Sequence, residues 1–215
     1  MPETPESDIT LLLEGTYPFV RGGVSGWVHQ IIQAFPERRF AIVYLGARRE
    51  EHGPPRYELP PNVVHLESHF LHEALPAGQP HARRGDADAF ERVAALHAHF
   101  KSPGGCPMPD LAALLRDMPP GGRLTLDDFL HAERAWQQIG QAYEQHCTDP
   151  SFVDYFWTVR SMHAPLWRLA RIAQTLPPTR ACHAVSTGYA GFLGALLHHL
   201  RGLPLIVSEH GIYTK

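Results

Sequence analysis

The chain has 215 residues, a formal net charge of −3, 44% apolar residues and 19% charged residues. That balance fits one large or two small globular domains and gives no global field for nucleic acid or an anionic membrane surface. No apolar run approaches the ~20 residues that span a bilayer, and the acidic start Met1-Pro-Glu-Thr-Pro-Glu-Ser-Asp8 is unlike a signal peptide.

The three cysteines, Cys106, Cys147 and Cys182, form no CxxC pair. They point to a reduced, cytoplasmic protein. The 15 histidines raise the question of a metal, but there is no HExxH and His198-His199 are adjacent. His97 and His99 are read as solvated surface side chains, and no metal site is expected.

In chain order, Ile9–Leu13 is a short continuous apolar run, as in a strand buried on both faces of a parallel sheet. Val24, Trp27, Val28, Ile31, Ile32 and Phe35 recur at steps of one, three and four, which marks a helix face. Phe40–Leu45 is a second strand and Val63–Leu66 a third. Residues 71–175 change character, being rich in Pro, Gly, Ala, His and Arg, and read as a helical insertion. Helical patterns cover about 86–100 and 110–118. Leu124–His146 reads as one longer helix, with Thr125 and Asp127-Asp128 suiting its N-terminus. Phe152–Leu176 is helical by period, with Pro165 starting a new helix or kinking the old one. After Pro177-Pro178 the α/β pattern returns: strand Cys182–Ser186, a helix with the stripe Tyr189, Leu193, Leu196 and Leu200 capped by Ser186 or Thr187, and strand 203–208. The fold class is α/β, a Rossmann-like parallel sheet flanked by helices, with a helical insertion.

Three strands run into polar or glycine-rich segments. The first leads to Glu14 and then Gly22-Gly23, another to Ser186-Thr187-Gly188-Tyr189, and the last to Ser208-Glu209-His210-Gly211. In a parallel sheet these ends share the edge where ligands of open α/β sheets bind. Gly22 and Gly23 lack Cβ atoms and precede a helix whose first N–H groups need partners, a natural seat for phosphate or carboxylate. A plain strand-to-helix turn is the competing reading of the glycines, and the two further polar strand ends weigh against it. His210, beside Gly211, is a hydrogen-bonding candidate. Glu14 and Glu209 either pair with Arg21 or another arginine, or hold sugar hydroxyls. Trp27 reads as core; Tyr17 and Tyr213 are candidates to flank a sugar. A dinucleotide-dependent oxidoreductase shares such a sheet, but GxGxxG directly after the first strand and an acid ending the second are both missing.

The stretches Leu12-Leu-Glu-Gly-Thr-Tyr-Pro-Phe-Val-Arg-Gly-Gly-Val-Ser-Gly-Trp27, His183-Ala-Val-Ser-Thr-Gly-Tyr-Ala-Gly191 and Ser208-Glu-His-Gly-Ile-Tyr-Thr-Lys215 are the most specific signal. Together they resemble the PelF-type enzymes of Pel exopolysaccharide synthesis, in glycosyltransferase family 4. The resemblance runs from about Ile9 to Lys215 and is weakest in the insertion.

It implies a GT-B fold, two Rossmann-like domains around a cleft, and retaining hexosyl or N-acetylhexosaminyl transfer from a nucleotide sugar, a UDP-sugar foremost, without a cofactor or essential metal. By the same resemblance Gly22 and Gly23, with Arg21 and Val24 on either side, match the loop facing the donor phosphate and acceptor. His210 matches a histidine near the transferred sugar and is the catalytic candidate. Glu14, Tyr17, Ser186, Thr187, Gly188, Tyr189, Glu209 and Gly211 are substrate-binding candidates. In such enzymes most nucleotide contacts lie in a C-terminal domain, so the chain reads as the N-terminal, acceptor-side half, expected to be inactive alone. The implied partners are a nucleotide sugar, a glycan acceptor and membrane-bound exopolysaccharide synthase subunits, with the protein cytoplasmic or held at the inner-membrane synthase complex. The alternative is a non-catalytic interaction module of such a complex.

Overall fold

The structure is a computed structural model and describes residues 6–51, 53–73, 81–102, 110–146 and 151–210. Its elements in chain order are β1 (Ser7–Glu14), α1 (Gly23–Ala34), β2 (Phe40–Gly46), β3 (Val63–Phe70), α2 (Ala87–Lys101), α3 (Leu111–Asp117), α4 (Leu126–His131), α5 (Glu133–His146), α6 (Phe152–Thr175), β4 (Thr179–Ala184), α7 (Tyr189–Arg201) and β5 (Leu205–Val207). A short 3-10 turn at Arg49–Glu51 follows β2. The chain divides into two compact units, Met1–Glu73 with Thr175–Lys215, and Ala74–Gln174.

The first unit is built on a five-stranded, all-parallel sheet in the order β3-β2-β1-β4-β5. It is an α/β, Rossmann-like sheet flanked by helices. The central run Leu11-Leu12-Leu13 is at most 2% exposed because both faces of β1 are covered. Leu11 and Leu13 face one way and pack with Phe40, Ile42, Val28 and Ile32, which seats α1 on that face. Leu12 faces the other way, toward α7. A Cβ built on Gly194 of α7 would stand 2.6 Å from Leu205 Cδ1 and 3.5 Å from Leu12 Cδ1, so the missing side chain lets the helix lie close to the sheet. Asn62 Nδ2 donates to the Ile32 and Phe35 carbonyls and so satisfies groups left over at the end of α1.

From β1 the chain crosses to β2 on one side, and from β4 to β5 on the other. The order therefore reverses between β1 and β4, a topological switch point with the strand carboxyl ends on one edge. The third strand is longer than its apolar run, Val63–Phe70 against Val63–Leu66. Its polar residues His65, Glu67 and His69 pair in register with β2 on the sheet edge. The fourth strand starts earlier and ends sooner than the apolar pattern suggested, at Thr179–Ala184.

The second unit is helical. Asp86 and Asp110 cap α2 and α3 by accepting from Ala89 N and Ala113 N, each at 2.9 Å. Thr125 and Asp128 form a reciprocal capping box at the start of α4. The single helix expected over 124–146 is two. Ala132 is extended at φ −76°, ψ 143°, and bridges to Arg83, whose carbonyl accepts from Glu133 N at 2.9 Å. Conversely, α6 is one element of 24 residues with Pro165 inside it, not two helices. Its buried face, Leu169, Ala170, Ile172 and Ala173, offsets the hydrogen bond the proline removes. Arg83 pairs with Asp128, and Arg92 and Arg123 both pair with Asp117. Trp167 Nε1 donates to the Leu124 carbonyl at 2.6 Å while its ring stacks on Phe129. His97 is solvent-exposed, as the sequence suggested, with its ring centroid 6.1 Å from that of His163; partial desolvation, then the neighbouring His163, lowers its pKa.

Candidate functional site

The site grows from the ends of β1, β4 and β5. Gly15, just past β1, has φ 63° and donates to the Leu45 carbonyl, a turn only glycine makes without strain. The chain then makes one helical turn, with Val20 N donating to the Thr16 carbonyl. Tyr17 pins this loop. It is fully buried, its hydroxyl lies 3.1 Å from His29 Nδ1, and its ring is 5.1 Å from Tyr57. Burial, then the nearby Tyr57, pushes its pKa up to about 12. Tyr17 therefore does not flank a ligand, as the sequence suggested; it anchors the loop that carries the glycines.

Gly22 precedes α1 in an extended conformation, φ 168° and ψ 178°, and Gly23 opens the helix. Neither has a left-handed φ, so backbone strain does not select them. Space is the relevant property: a Cβ on Gly22, Gly23 or Gly26 meets nothing within 4 Å. No side chain caps α1 and its first turn holds no acid. Val24 packs partly into the core beneath, so only its backbone belongs to the open helix end. Arg21 is exposed and makes no ion pair with Glu14.

The start of α7 differs. Its N-cap is Gly188, not Ser186 or Thr187, and no cap side chain reaches the helix. The partner comes from β1: Ala190 N donates to Glu14 Oε2 at 3.2 Å. The other carboxylate serves the same turn. Glu209 Oε2 accepts from Thr187 N at 3.1 Å and from Thr187 Oγ1 at 2.6 Å, and Glu209 Oε1 accepts from His210 N. Both acids thus bind main-chain N–H groups around α7. Each keeps lone pairs for other donors.

Aromatic rings complete the edge. Trp27 is half-buried and meets His210 edge-on at 4.7 Å between centroids and His183 at 5.8 Å. His183 Nε2 lies 2.8 Å from Ser208 Oγ. Burial, then the neighbouring His210, lowers the pKa of His183. Tyr189 meets His72 edge-on, and its pKa is raised by burial and by the Glu14 charge. Trp27 and His183 are site neighbours that the sequence reading left out or put in the core. A tryptophan on a helical stripe carries no signal of what its exposed edge meets. Gly211 and Tyr213 lie outside the described residues.

Two hydroxyls just past β1 and β4, Thr16 Oγ1 and Ser186 Oγ, are out of solvent with no hydrogen-bond partner among the described residues. Such groups gain from any ligand that satisfies them. The edge therefore offers an open helix N-terminus, two backbone-held carboxylates, a histidine on a tryptophan and two unsatisfied hydroxyls. Among the described residues, no cluster of three or more His, Cys, Asp or Glu is placed to hold a metal ion.

A family model matches residues 7–215, almost the whole chain. The chain belongs to the DUF3492 family, described as a domain of unknown function. No curated protein and no solved structure matches it significantly. The DUF3492 match begins at the first residue of β1, so the family spans both the sheet unit and the helical unit. No described helix of this DUF3492 chain is long and apolar enough to cross a membrane.

Proposed function

We propose that this chain is the acceptor-side, Rossmann-like half of a retaining glycosyltransferase of exopolysaccharide synthesis. It transfers a hexosyl or N-acetylhexosaminyl group from a nucleotide sugar, a UDP-sugar foremost, to a glycan. The observation that carries the reading is the convergence of Glu14, the Gly22-Gly23 helix start, Ser186–Tyr189 and Glu209-His210 on the switch-point edge. The resemblance of those same three stretches to family-4 enzymes supports it.

The roles follow from chemistry. The leaving group is a diphosphate, and the open start of α1 provides N–H groups and a positive dipole end for its charge. Glu14 and Glu209, already oriented by main-chain donors, accept from sugar hydroxyls. His210, exposed and resting on Trp27, faces the transferred sugar. Partners in this reading are the nucleotide sugar, the acceptor glycan and membrane-bound synthase subunits, with the protein cytoplasmic.

The test is UDP release when the protein at its full natural length is incubated with UDP-hexoses, UDP-N-acetylhexosamines and a glycan acceptor. Release with at least one donor is expected, and no release with any would overturn the reading. Residues 1–215 alone should bind UDP with a Kd on the order of millimolar, because one wall of a cleft leaves a ligand largely solvated. A low-micromolar Kd would contradict the assignment to the acceptor side.

A further inference from the structure

Immediately before the glycine pair, Phe19, Val20, Arg21 and Arg56 line an open depression of about 430 Å³. The two arginines come from separate segments, and each segment is fixed. Phe19 N and Val20 N donate to the Thr16 carbonyl, Phe19 packs edge-on against Tyr44 at 4.7 Å, and Arg56 N donates to the Pro18 carbonyl at 2.8 Å. That last bond ties Arg56 to the loop that carries Arg21. Neither guanidinium is in an ion pair among the described residues, whereas Arg39 and Arg180 share Asp8 and Arg49 takes Glu73. Val20 is 47% exposed, an apolar surface beside two unneutralised cations.

We infer that Arg21 and Arg56 form a two-guanidinium site for an oxyanion carried on an apolar or aromatic body. The guanidinium fork matches phosphate and carboxylate oxygens in geometry as well as charge. Phe19 and Val20 supply the surface on which the body rests. Arg56 carries no motif, and the sequence gives no hint that it stands beside Arg21. The inference shares Arg21 with the glycosyltransferase reading but rests on the depression itself, and its test needs no transfer activity.

The test uses the full 215-residue chain with arginine Nε–Hε groups observed by NMR, titrated with phenyl phosphate and with inorganic phosphate. Arg21 and Arg56 should shift together and saturably, and phenyl phosphate should bind several-fold more tightly than inorganic phosphate. Arg56→Gln should weaken phenyl phosphate at least tenfold. Arg48→Gln, at an exposed arginine outside the depression, should change affinity less than twofold. Val20→Ser should abolish the preference for the phenyl ester. Absence of saturable shifts, an unchanged affinity in a folded Arg56→Gln chain, or an equal loss in Arg48→Gln would each overturn the proposal. The last outcome would mean attraction to charge in general and no built site.

Discussion

Gly188 and Glu14 are matched across the switch point. A Cβ built on Gly188 would stand 2.7 Å from Glu14 Oε2, the oxygen that accepts from Ala190 N. Gly188 has φ −68° and ψ −133°, and the carboxylate stands where a side chain would go. Gly188→Ala should push the flexible Glu14 side chain off the start of α7. The lost acceptor costs about 1 kcal/mol. The single variant is therefore expected to be less stable by at least that amount. In a Glu14→Ala background the same change should cost less, giving a coupling of about 1 kcal/mol. Urea denaturation of the four chains measures it, and additive effects would show that Glu14 does not cap α7.

Gly23→Val separates space from strain. Gly23 is the first residue of α1, has no positive φ and leaves open space where a Cβ would sit. Valine also has better helix propensity than glycine. Stability should change by no more than about 0.5 kcal/mol, while turnover of the full-length protein should fall about a hundredfold or more as the branched side chain enters the proposed diphosphate position. Donor consumption and melting curves recorded together decide it. Normal turnover would move the diphosphate away from this helix.

On the edge strand, Glu67 reaches both His65 Nε2, at 3.3 Å, and His69 Nε2, at 3.2 Å. Burial alone would raise its pKa, but the neighbouring His69, then His65, outweigh it and hold the carboxyl below its ordinary 4.5. A depressed carboxyl stabilises the fold above its unfolded value and loses that contribution as pH falls through the lower folded value. The expected loss therefore lies below about pH 4.5. Glu67→Gln should flatten that part of the stability–pH curve, and an unchanged acid limb would remove Glu67 from the account.

The sheet was legible because β1 and β2 are continuous apolar runs, which only a two-sided burial explains. Local signals also placed the Thr125 cap. What stayed hidden was long-range. Glu14 lies 176 residues from Ala190, and nothing near either residue signals their hydrogen bond. The break at Ala132 depends on pairing with Arg83, and Tyr17 is buried because Tyr57 and His29 close over it. An aromatic residue next to a glycine loop looks the same in sequence whether it faces a ligand or the core.

His183 and His210 flank Trp27, and their coupling gives the site a measurable pH signature. The pKa of His183 lies below its ordinary 6.5, first from burial and second from His210. A histidine with a depressed folded value takes up a proton more readily when unfolded, so stability declines as pH falls from about 6.5 toward that lower value. His210→Ala removes the second cause and leaves the first. The His183 ring resonances should then titrate at higher pH than in the wild type yet still below 6.5, and the decline in stability should shrink. The same variant in the full-length protein should lose about one hundred- to one thousandfold in turnover, the size of effect seen when a single charge-stabilising donor is removed. NMR titration, melting curves and donor consumption together separate the outcomes. An unshifted His183 would mean the two rings are not coupled. Normal turnover with a shifted His183 would leave His210 as a packing partner of Trp27 and pass the sugar contact to another group. A large loss of turnover with unchanged melting would fix His210 at the reacting sugar, because the fold around Trp27 would have survived the truncation.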